Sequence, residues 1–479
     1  MVPEPTIGIQ VAYLVASILF IVGLKFLSSP RHARNGNLIA AAGMILAVGA
    51  TLAVPGVRVS PLLVTCVAVG GIAGVWAARS VSITAMPQMV AMLNGLGGGA
   101  AALVSCAGIW RATHAGVSVT LFQTLGVTVR HDAPHGASLV ELLGVLIGSV
   151  SFSGSAIAWG KLQGVISEKA IAGAWTRFVN AAIVIAILVS GAMTLEGGGP
   201  GRLAVYLVGS LAFGVFMVIP IGGADMPVVI SLLNSFTGLA AASTGFALDN
   251  RALIISGTLV GASGTLLTRL MCKAMNRSLA NVLFGGFGAG PAGGPAGVKG
   301  PAKPVREIGP EDAAVLLSNI RSLIIVPGYG MAVAQAQHAV RELADMLAHK
   351  GVDVRYAIHP VAGRMPGHMN VLLAEANVPY TQLFDLDQIN PEFGHTDVAL
   401  VIGANDVVNP AARTDTASPI YGMPILDADK AQHCIIIKRS MNPGFAGIDN
   451  PLYYEPRTMM LFGDAKGAVT KVLEALKML

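Results

Sequence analysis

The sequence predicts a multi-span α-helical membrane bundle of about nine helices followed by a C-terminal α/β domain built on a doubly wound parallel sheet. Three observations carry this expectation. The 479 residues are 53% hydrophobic and 12% charged, with a mean hydropathy of +0.66, whereas charged residues make up about 25% of ordinary soluble domains. The charges are unevenly placed: residues 1–272 hold few of them, and residues 305–479 have the composition of a soluble domain. Between these parts, residues 284–304 (FGGFGAGPAGGPAGVKGPAKP) are dominated by Gly, Ala and Pro, a composition that neither spans a bilayer nor packs a core. The expected organisation is a membrane domain over 1–283, a linker over 284–304 and a soluble domain over 305–479.

With about 20 apolar residues taken as one crossing, the candidate spans fall near 7–27, 37–54, 61–79, 86–110, 138–160, 178–195, 203–222, 226–248 and 252–272. The first run lacks a basic n-region and a cleavage site, so it reads as a retained helix. An odd number of crossings puts the two ends on opposite sides. With the carboxyl end inside, the inner loops hold Lys25, Arg31, Arg34, Arg79, Lys161, Lys169, Arg177, Lys273 and Arg277, and the outer loops hold Arg58, Arg111, Arg130, Arg202 and Arg251. That asymmetry predicts a cytoplasmic carboxyl domain. Runs such as Gly95 to Ala100 and Gly257 to Gly261 allow helix backbones to approach closely.

Polar groups in hydrocarbon are costly and are functional candidates for that reason. Here they are Asn94, Glu141, Asp225, Asn234 and, at a span end, Asp249. The alternative is structural: Asn94 and Asn234 bridge helices, and Glu141 and Asp225 are interfacial. His131 and His135 lie too close to Pro134 for a helical metal clip and read as solvated loop residues, so no metal site is expected. Cys66, Cys106, Cys272 and Cys434 form no CxxC pair and read as packing residues. A net charge of +5 without a basic stripe excludes a nucleic-acid partner.

In the carboxyl part, Leu323 to Gln337 (LIIVPGYGMAVAQAQ) reads as a buried strand, a Gly328-x-Gly330 turn and a helix. Glycine lets backbone approach a pyrophosphate, and a helix N-terminus favours an anion. The third glycine position holds Val333, and such a turn also serves as a plain compact corner. Val352 to Ile358, Val398 to Ile402 and Cys434 to Ile437 read as further strands, and Asp464 to Leu479 as a last helix. Alternating strands and helices predict a Rossmann-like sheet with a dinucleotide across the carboxyl ends of its strands. The second strand ends at Ile358-His359-Pro360, without the carboxylate that an NAD ribose would use, and Lys438-Arg439-Ser440 follows a later strand. Two cations and a hydroxyl suit a phosphate. Together these favour NADP over NAD, against the alternative of a solvated basic turn.

The strings PGYGMAVAQAQ at 327–337, HPVAGRMPGHMN at 359–370, GAND at 403–406, KRSM at 438–441 and FGDAK at 462–466 closely resemble the NADP(H)-binding domain of proton-translocating nicotinamide nucleotide transhydrogenase. In the membrane part, IGGADMP at 221–227 and CKAMNR at 272–277 resemble the β subunit of that family. The resemblance implies hydride exchange between NAD(H) and NADP(H) coupled to proton translocation across the membrane, making NADPH at the expense of the gradient. It implies nucleotide contacts from Gly328, Tyr329, Gly330, Met331, Ala332 and Val333, and from Val361, Ala362, Gly363, Arg364, Met365 and Pro366, with Arg364 near the pyrophosphate. Gly403, Ala404, Asn405, Asp406 and Val407 would lie by the nicotinamide, with Asp406 as the group linking redox state to protonation. Gly422 and Met423 form a neighbouring loop, Lys438, Arg439 and Ser440 grip the 2′-phosphate, and Asp464 with Ala465 complete the site. Met441 to Gly447, including Gly444 and Phe445, resembles a lid over the nucleotide. Asn94, Glu141, Asp225, Asn234 and Arg277 would serve the proton path or its coupling.

Two positions depart from the family pattern. Asn94 stands where one branch has a relay histidine, and Phe445 where Tyr is common. The chain also lacks an NAD(H)-binding domain. The resemblance therefore implies an α-type partner with that domain and further membrane helices, a dimer of such units, and residence in a bacterial inner membrane. The competing readings are a transporter whose soluble domain senses NADP(H), and an NADP reductase on an inert anchor.

Overall fold

The computed structural model describes residues 6–27, 32–55, 57, 59–82, 85–113, 139–167, 171, 174–196, 200–284, 304–365, 367–444 and 446–479. The histidine-bearing segment near residue 131 and the linker residues 285–303 lie outside them. The chain divides into two compact units, Met1–Thr268 and Arg269–Leu479.

Among the described residues, nine helices are long and apolar enough to cross a membrane. They are α1 (Ile7–Leu27), α2 (Ala33–Leu52), α3 (Pro61–Ser80), α4 (Met86–Thr113), α5 (Leu139–Leu162), α6 (Ala174–Leu195), α7 (Pro200–Val218), α8 (Met226–Ala247) and α9 (Arg251–Ala274). Helices are forced here because hydrocarbon offers backbone amides no other partner. In the first unit α4, α5 and α8 pack against one another, α7 lies on α5, and α1–α2 and α6–α7 form further pairs. By contrast, α3 buries none of its residues.

Lipid is as apolar as the side chains, so these contacts rest on close van der Waals fit rather than on a hydrophobic drive. Glycine supplies the fit. A Cβ on Gly148 of α5 would stand 2.5 Å from the Gly98 carbonyl oxygen of α4, and one on Gly238 of α8 would stand 2.4 Å from the Gly261 nitrogen. Asp249 is a turn residue rather than an intramembrane group. It takes a left-handed φ of 51° between α8 and α9, beside Asn250, whose side chain accepts the Leu253 N–H at 3.0 Å.

The second unit holds a six-stranded sheet in the order β3-β2-β1-β4-β5-β6, with every pair parallel. The strands are β1 (Ser322–Pro327), β2 (Asp353–Ile358), β3 (Leu383–Asp385), β4 (Val398–Ile402), β5 (His433–Lys438) and β6 (Thr458–Phe462). The helices used below are α10 (Leu279–Phe284), α11 (Pro310–Ser318), α12 (Tyr329–Val333), α13 (Gln337–His349), α14 (His368–Glu375) and α15 (Ala465–Lys477). This is the doubly wound order, with the direction in which strands are added to the sheet reversing between β1 and β4. Ile324, Val326, Ala399, Val401, Cys434, Ile436 and Met460 meet in one core cluster.

Three features differ from the expectation. The helix predicted after β1 is broken in two, because Gln335 takes a left-handed φ of 50° between α12 and α13. Two strands were not expected: β3 has three residues, and β6 (TMMLF) carries one β-branched residue. The free edge of β6 is covered by residues 306–308, where Met460 N–H donates to Arg306 O at 2.8 Å and Ile308 N–H to Met460 O at 3.0 Å. Pairing an exposed edge in this way removes a site of aggregation.

The close approach of α4 and α5 generates a test. Gly148→Ala should destabilise the detergent-solubilised chain by about 1–3 kcal/mol through overpacking, lowering its thermal midpoint. Gly74→Ala on α3, where nothing lies within 4 Å of the added carbon, should leave the midpoint unchanged.

Candidate functional site

All strands are parallel, so the segments that follow β1, β2, β4, β5 and β6 emerge at one edge of the sheet. At its centre two turns interlock. A Cβ on Gly328 would lie 2.4 Å from the Ala404 nitrogen, and one on Gly330 would lie 2.7 Å from the Gly403 Cα. Gly403 itself takes a left-handed φ of 66°. Gly328 N–H donates to Ile402 O and Gly330 N–H to Gly403 O, each at 2.9 Å. This corrects the simple phosphate cradle: the amides of both glycines are spent on the neighbouring loop, and α12 is only five residues long. The glycines are required first by the contact between the two turns.

Around this interlock the loops place charged and polar groups. Arg364 lies over the Tyr329 ring, 4.8 Å from its centroid, and Tyr329 tilts against His368 at 6.3 Å. Arg364 N–H donates to His368 Nδ1 at 3.0 Å. Burial, and secondarily the Arg364 charge, push the His368 pKa down to about 4, so the ring is neutral and carries its proton on Nε2. That N–H is buried without a hydrogen-bond partner. Gly363, at φ 107°, is packed on the same imidazole. At the end of β2, His359 Nε2–H donates to Pro424 O at 2.8 Å and Nδ1 accepts the Val361 N–H at 3.2 Å. Its burial lowers the pKa to about 4, opposed by the bond to Pro424.

After β4 comes Asn405, whose Oδ1 accepts from Tyr453 Oη at 2.6 Å and from Asn450 Nδ2 at 3.2 Å. The Asn405 Nδ2 is buried with no hydrogen-bond partner. Asp406 Oδ2 accepts the Ala446 N–H at 3.0 Å. A Cβ on Gly444 would come within 2.6 Å of Asp406 Oδ1 and 2.7 Å of Asn405 Nδ2, so glycine there lets the chain at 444 lie against the β4 loop. Lys438, at the end of β5, donates to Asn442 O at 2.6 Å and Tyr453 Oη at 3.2 Å, and sits 4.6 Å above the Tyr453 ring. Burial lowers its pKa, while Asp406 and Asp449 act in the opposite direction. Buried donors at Asn405 and His368, with cations at Lys438 and Arg364, suit a ligand that carries phosphate and carbonyl oxygens.

Other predicted residues have different surroundings. Met331, Ala332, Ala362, Ala404, Val407 and Met423 are buried in the fold, so their side chains serve packing. Gly422, at φ 77°, faces the Asn276 amide, and Asn276 Nδ2 donates to Tyr421 O at 2.8 Å. Asp464 caps α15, accepting the Gly467 N–H at 3.4 Å, and Ala465 is buried. Val333, Arg439 and Ser440 are exposed, and Val361, Met365 and Met441 are half-buried. Pro366 and Phe445 lie outside the described residues.

In the first unit, Asn94 Nδ2 donates to Ile230 O at 3.2 Å, and the Thr237 hydroxyl lies 3.0 Å from Asn94 O and 2.7 Å from Ser151 Oγ. Ser151 also donates to Leu233 O at 3.0 Å. Asn94 thus bridges α4 and α8 within a polar cluster that also draws in α5. Asn234 is half-buried on α8. Glu141 is buried in the first turn of α5, well away from that cluster, and Asp225 is buried in the turn before α8. Arg277 is exposed in the second unit. Lys161, predicted as a loop cation, is instead fully buried in the last turn of α5, where Nζ donates to Ile219 O at 2.6 Å and Ile221 O at 2.7 Å. Ser151, Thr237, His368, Asn450 and Tyr453 were not singled out from the sequence. For Ser151 and Thr237 the available signal was a hydroxyl within an apolar span.

Residues 9–475 match the family model described as NAD(P) transhydrogenase beta subunit. Two Rhodospirillum rubrum proteins, each named NAD(P) transhydrogenase subunit beta, are 50% identical to this chain over 468 residues, covering 97% of it and 98% of the relative.

The neutral, buried His359 generates a prediction for acid stability. Its folded pKa lies below the ordinary 6.5, so the unfolded chain takes up the proton first. The contribution is full above about pH 6.5, falls as pH drops toward 4, and amounts to about 3 kcal/mol. His359→Gln should flatten the decline of the second unit's unfolding midpoint between pH 7 and 4.5, measured by thermal melting of the solubilised chain. An unchanged slope would show that other groups govern it.

Proposed function

The chain belongs to the NAD(P) transhydrogenase beta-subunit family, and from that premise we propose that it binds NADP(H) in its second unit, exchanges hydride with NAD(H) held by an α-type partner, and passes protons through its first unit. The observation that carries this reading is the convergence, at the carboxyl edge of one parallel sheet, of Lys438, Arg364, Asn405 and Asp406. A dinucleotide bound there supplies the nicotinamide chemistry, and the protein positions the rings and excludes water. Lys438 takes the 2′-phosphate with Arg439 and Ser440, and Arg364, braced on Tyr329, takes the pyrophosphate. Asn405 presents a fixed N–H to the nicotinamide end.

Asp406 carries the coupling. Its carboxylate holds the Ala446 amide, so a change in its charge alters the hold on the lid segment 441–447. Linkage then does the work: protonation must have different free energies in the open and closed states of the NADP(H) site. The Asn94, Thr237 and Ser151 cluster, with Asn234, Glu141 and Asp225, provides polar groups for the proton path, and Arg277 serves the coupling. The partner brings the NAD(H) domain and further helices, and two such units form a dimer. The protein is a multi-pass membrane protein whose second unit faces the cytoplasm of a bacterium, where the inward proton gradient drives NADPH formation.

Two experiments on the assembled complex test this reading. Lys438→Ala or Arg439→Ala should weaken NADPH binding about 10- to 100-fold, as expected for a lost charged hydrogen bond, and leave NADH binding unchanged. Equal losses for both nucleotides would contradict the 2′-phosphate assignment. Asn94→Ala should lower proton-coupled turnover several-fold without changing NADPH affinity, and undiminished pumping would reduce Asn94 to a packing residue.

A further inference from the structure

One buried side chain joins the two ends of this site. Tyr453 is 2% exposed, and its hydroxyl lies between Lys438 Nζ at 3.2 Å and Asn405 Oδ1 at 2.6 Å. The direction of each hydrogen bond is fixed by chemistry. An ammonium only donates, so Lys438 donates a hydrogen bond to Tyr453 Oη, and the phenol O–H is left to donate to Asn405. Burial, together with Asp406 and Asp449, raises the Tyr453 pKa, which keeps that O–H in place at physiological pH. Asn450 Nδ2 also donates to Asn405, to Oδ1 at 3.2 Å and to the main-chain oxygen at 3.1 Å.

These contacts orient the Asn405 carboxamide. Both donors address its oxygen, so its Nδ2 is turned away from them, where it is buried without a partner. A tyrosine needed only for packing would satisfy its hydroxyl anywhere. This one spans the ends of β4 and β5. Lys438 has three N–H groups, of which Asn442 O and Tyr453 Oη take two. A phosphate oxygen that takes the third fixes the ammonium, and polarisation along the hydrogen-bond chain strengthens the hold on Asn405.

We propose that Tyr453 is a positioning residue that transmits recognition of the 2′-phosphate at Lys438 to the Asn405 carboxamide, so that the phosphate sets the donor facing the nicotinamide end. The inference rests on the NADP(H) reading of the site. It adds a thermodynamic connection between two subsites on neighbouring strands.

The test measures calorimetric dissociation constants on the solubilised complex with its α-type partner, using NADP⁺ and adenosine 2′,5′-bisphosphate, which carries the phosphate but no nicotinamide. Tyr453→Phe keeps the ring under Lys438 and removes the hydroxyl. It should weaken NADP⁺ about tenfold and change the bisphosphate less than twofold. Asn405→Ala should give the same split, and the double variant should be no weaker than Asn405→Ala alone, because residues in one network are not additive. Equal losses for both ligands, or additive losses in the double variant, would overturn the proposal. Should Tyr453→Phe fail to assemble, Asn405→Ala decides by the same split: loss of NADP⁺ alone supports the strut, and equal loss overturns it. Failure of the underlying reading is distinct, since the unmodified complex would then bind the bisphosphate no better than adenosine 5′-monophosphate.

Discussion

The contact between two turns organises the second unit. β1 and β4 sit side by side at the point where the strand order reverses, and their following loops pass within van der Waals distance. Only glycine at 328 and 330, facing Gly403, permits that approach. Once the turns interlock, the Gly328 and Gly330 amides donate to Ile402 O and Gly403 O. The side chains around the turns are held in place by their neighbours: Arg364 on Tyr329, Lys438 on Tyr453, and Asn405 by two donors. The same arrangement explains why so many residues of the resembling motifs are buried. Met331, Ala404 and Val407 are buried beneath the loops.

The membrane unit solves a different problem with related means. Glycine again permits close approach, but polar groups there must be satisfied within the bundle. Asn94, Ser151 and Thr237 answer one another across three helices. α5 carries Glu141 in its first turn and Lys161 in its last, both buried. At 1.5 Å per residue they stand about 30 Å apart, the thickness of a hydrocarbon core. An acid at the amino end and a cation at the carboxyl end each match the sign of the helix dipole. Lys161 also donates to the main-chain oxygens of Ile219 and Ile221, in the turn that follows α7.

The nine spans were legible because hydropathy over about 20 residues is a strong signal and tertiary context does little to change it. In the soluble unit the central strands were legible for the same reason, being continuous apolar runs buried on both faces. β3 was too short to announce itself, and β6 is rich in methionine, which carries no strand preference. The glycine turn was legible as a turn, but its partner loop was not, because the contact joins residues far apart in the chain. Tyr453 was invisible for that reason too. Its role exists only through contacts 15 and 48 positions away. Lys161 was misplaced because it ends an apolar run, and its carbonyl partners lie 58 and 60 positions further on.

The edge strand β6 has a consequence for synthesis. Residues 306–308, which open the soluble part of the chain, pair with Met460, and α11 packs on α15. A ribosome therefore releases the first segment of this unit long before its partner strand exists. Loop closure over such a distance is slow, so the second unit remains incomplete while the preceding spans enter the membrane. The order of translation thus keeps residues 306–308 apart from their partner strand until the chain is nearly complete.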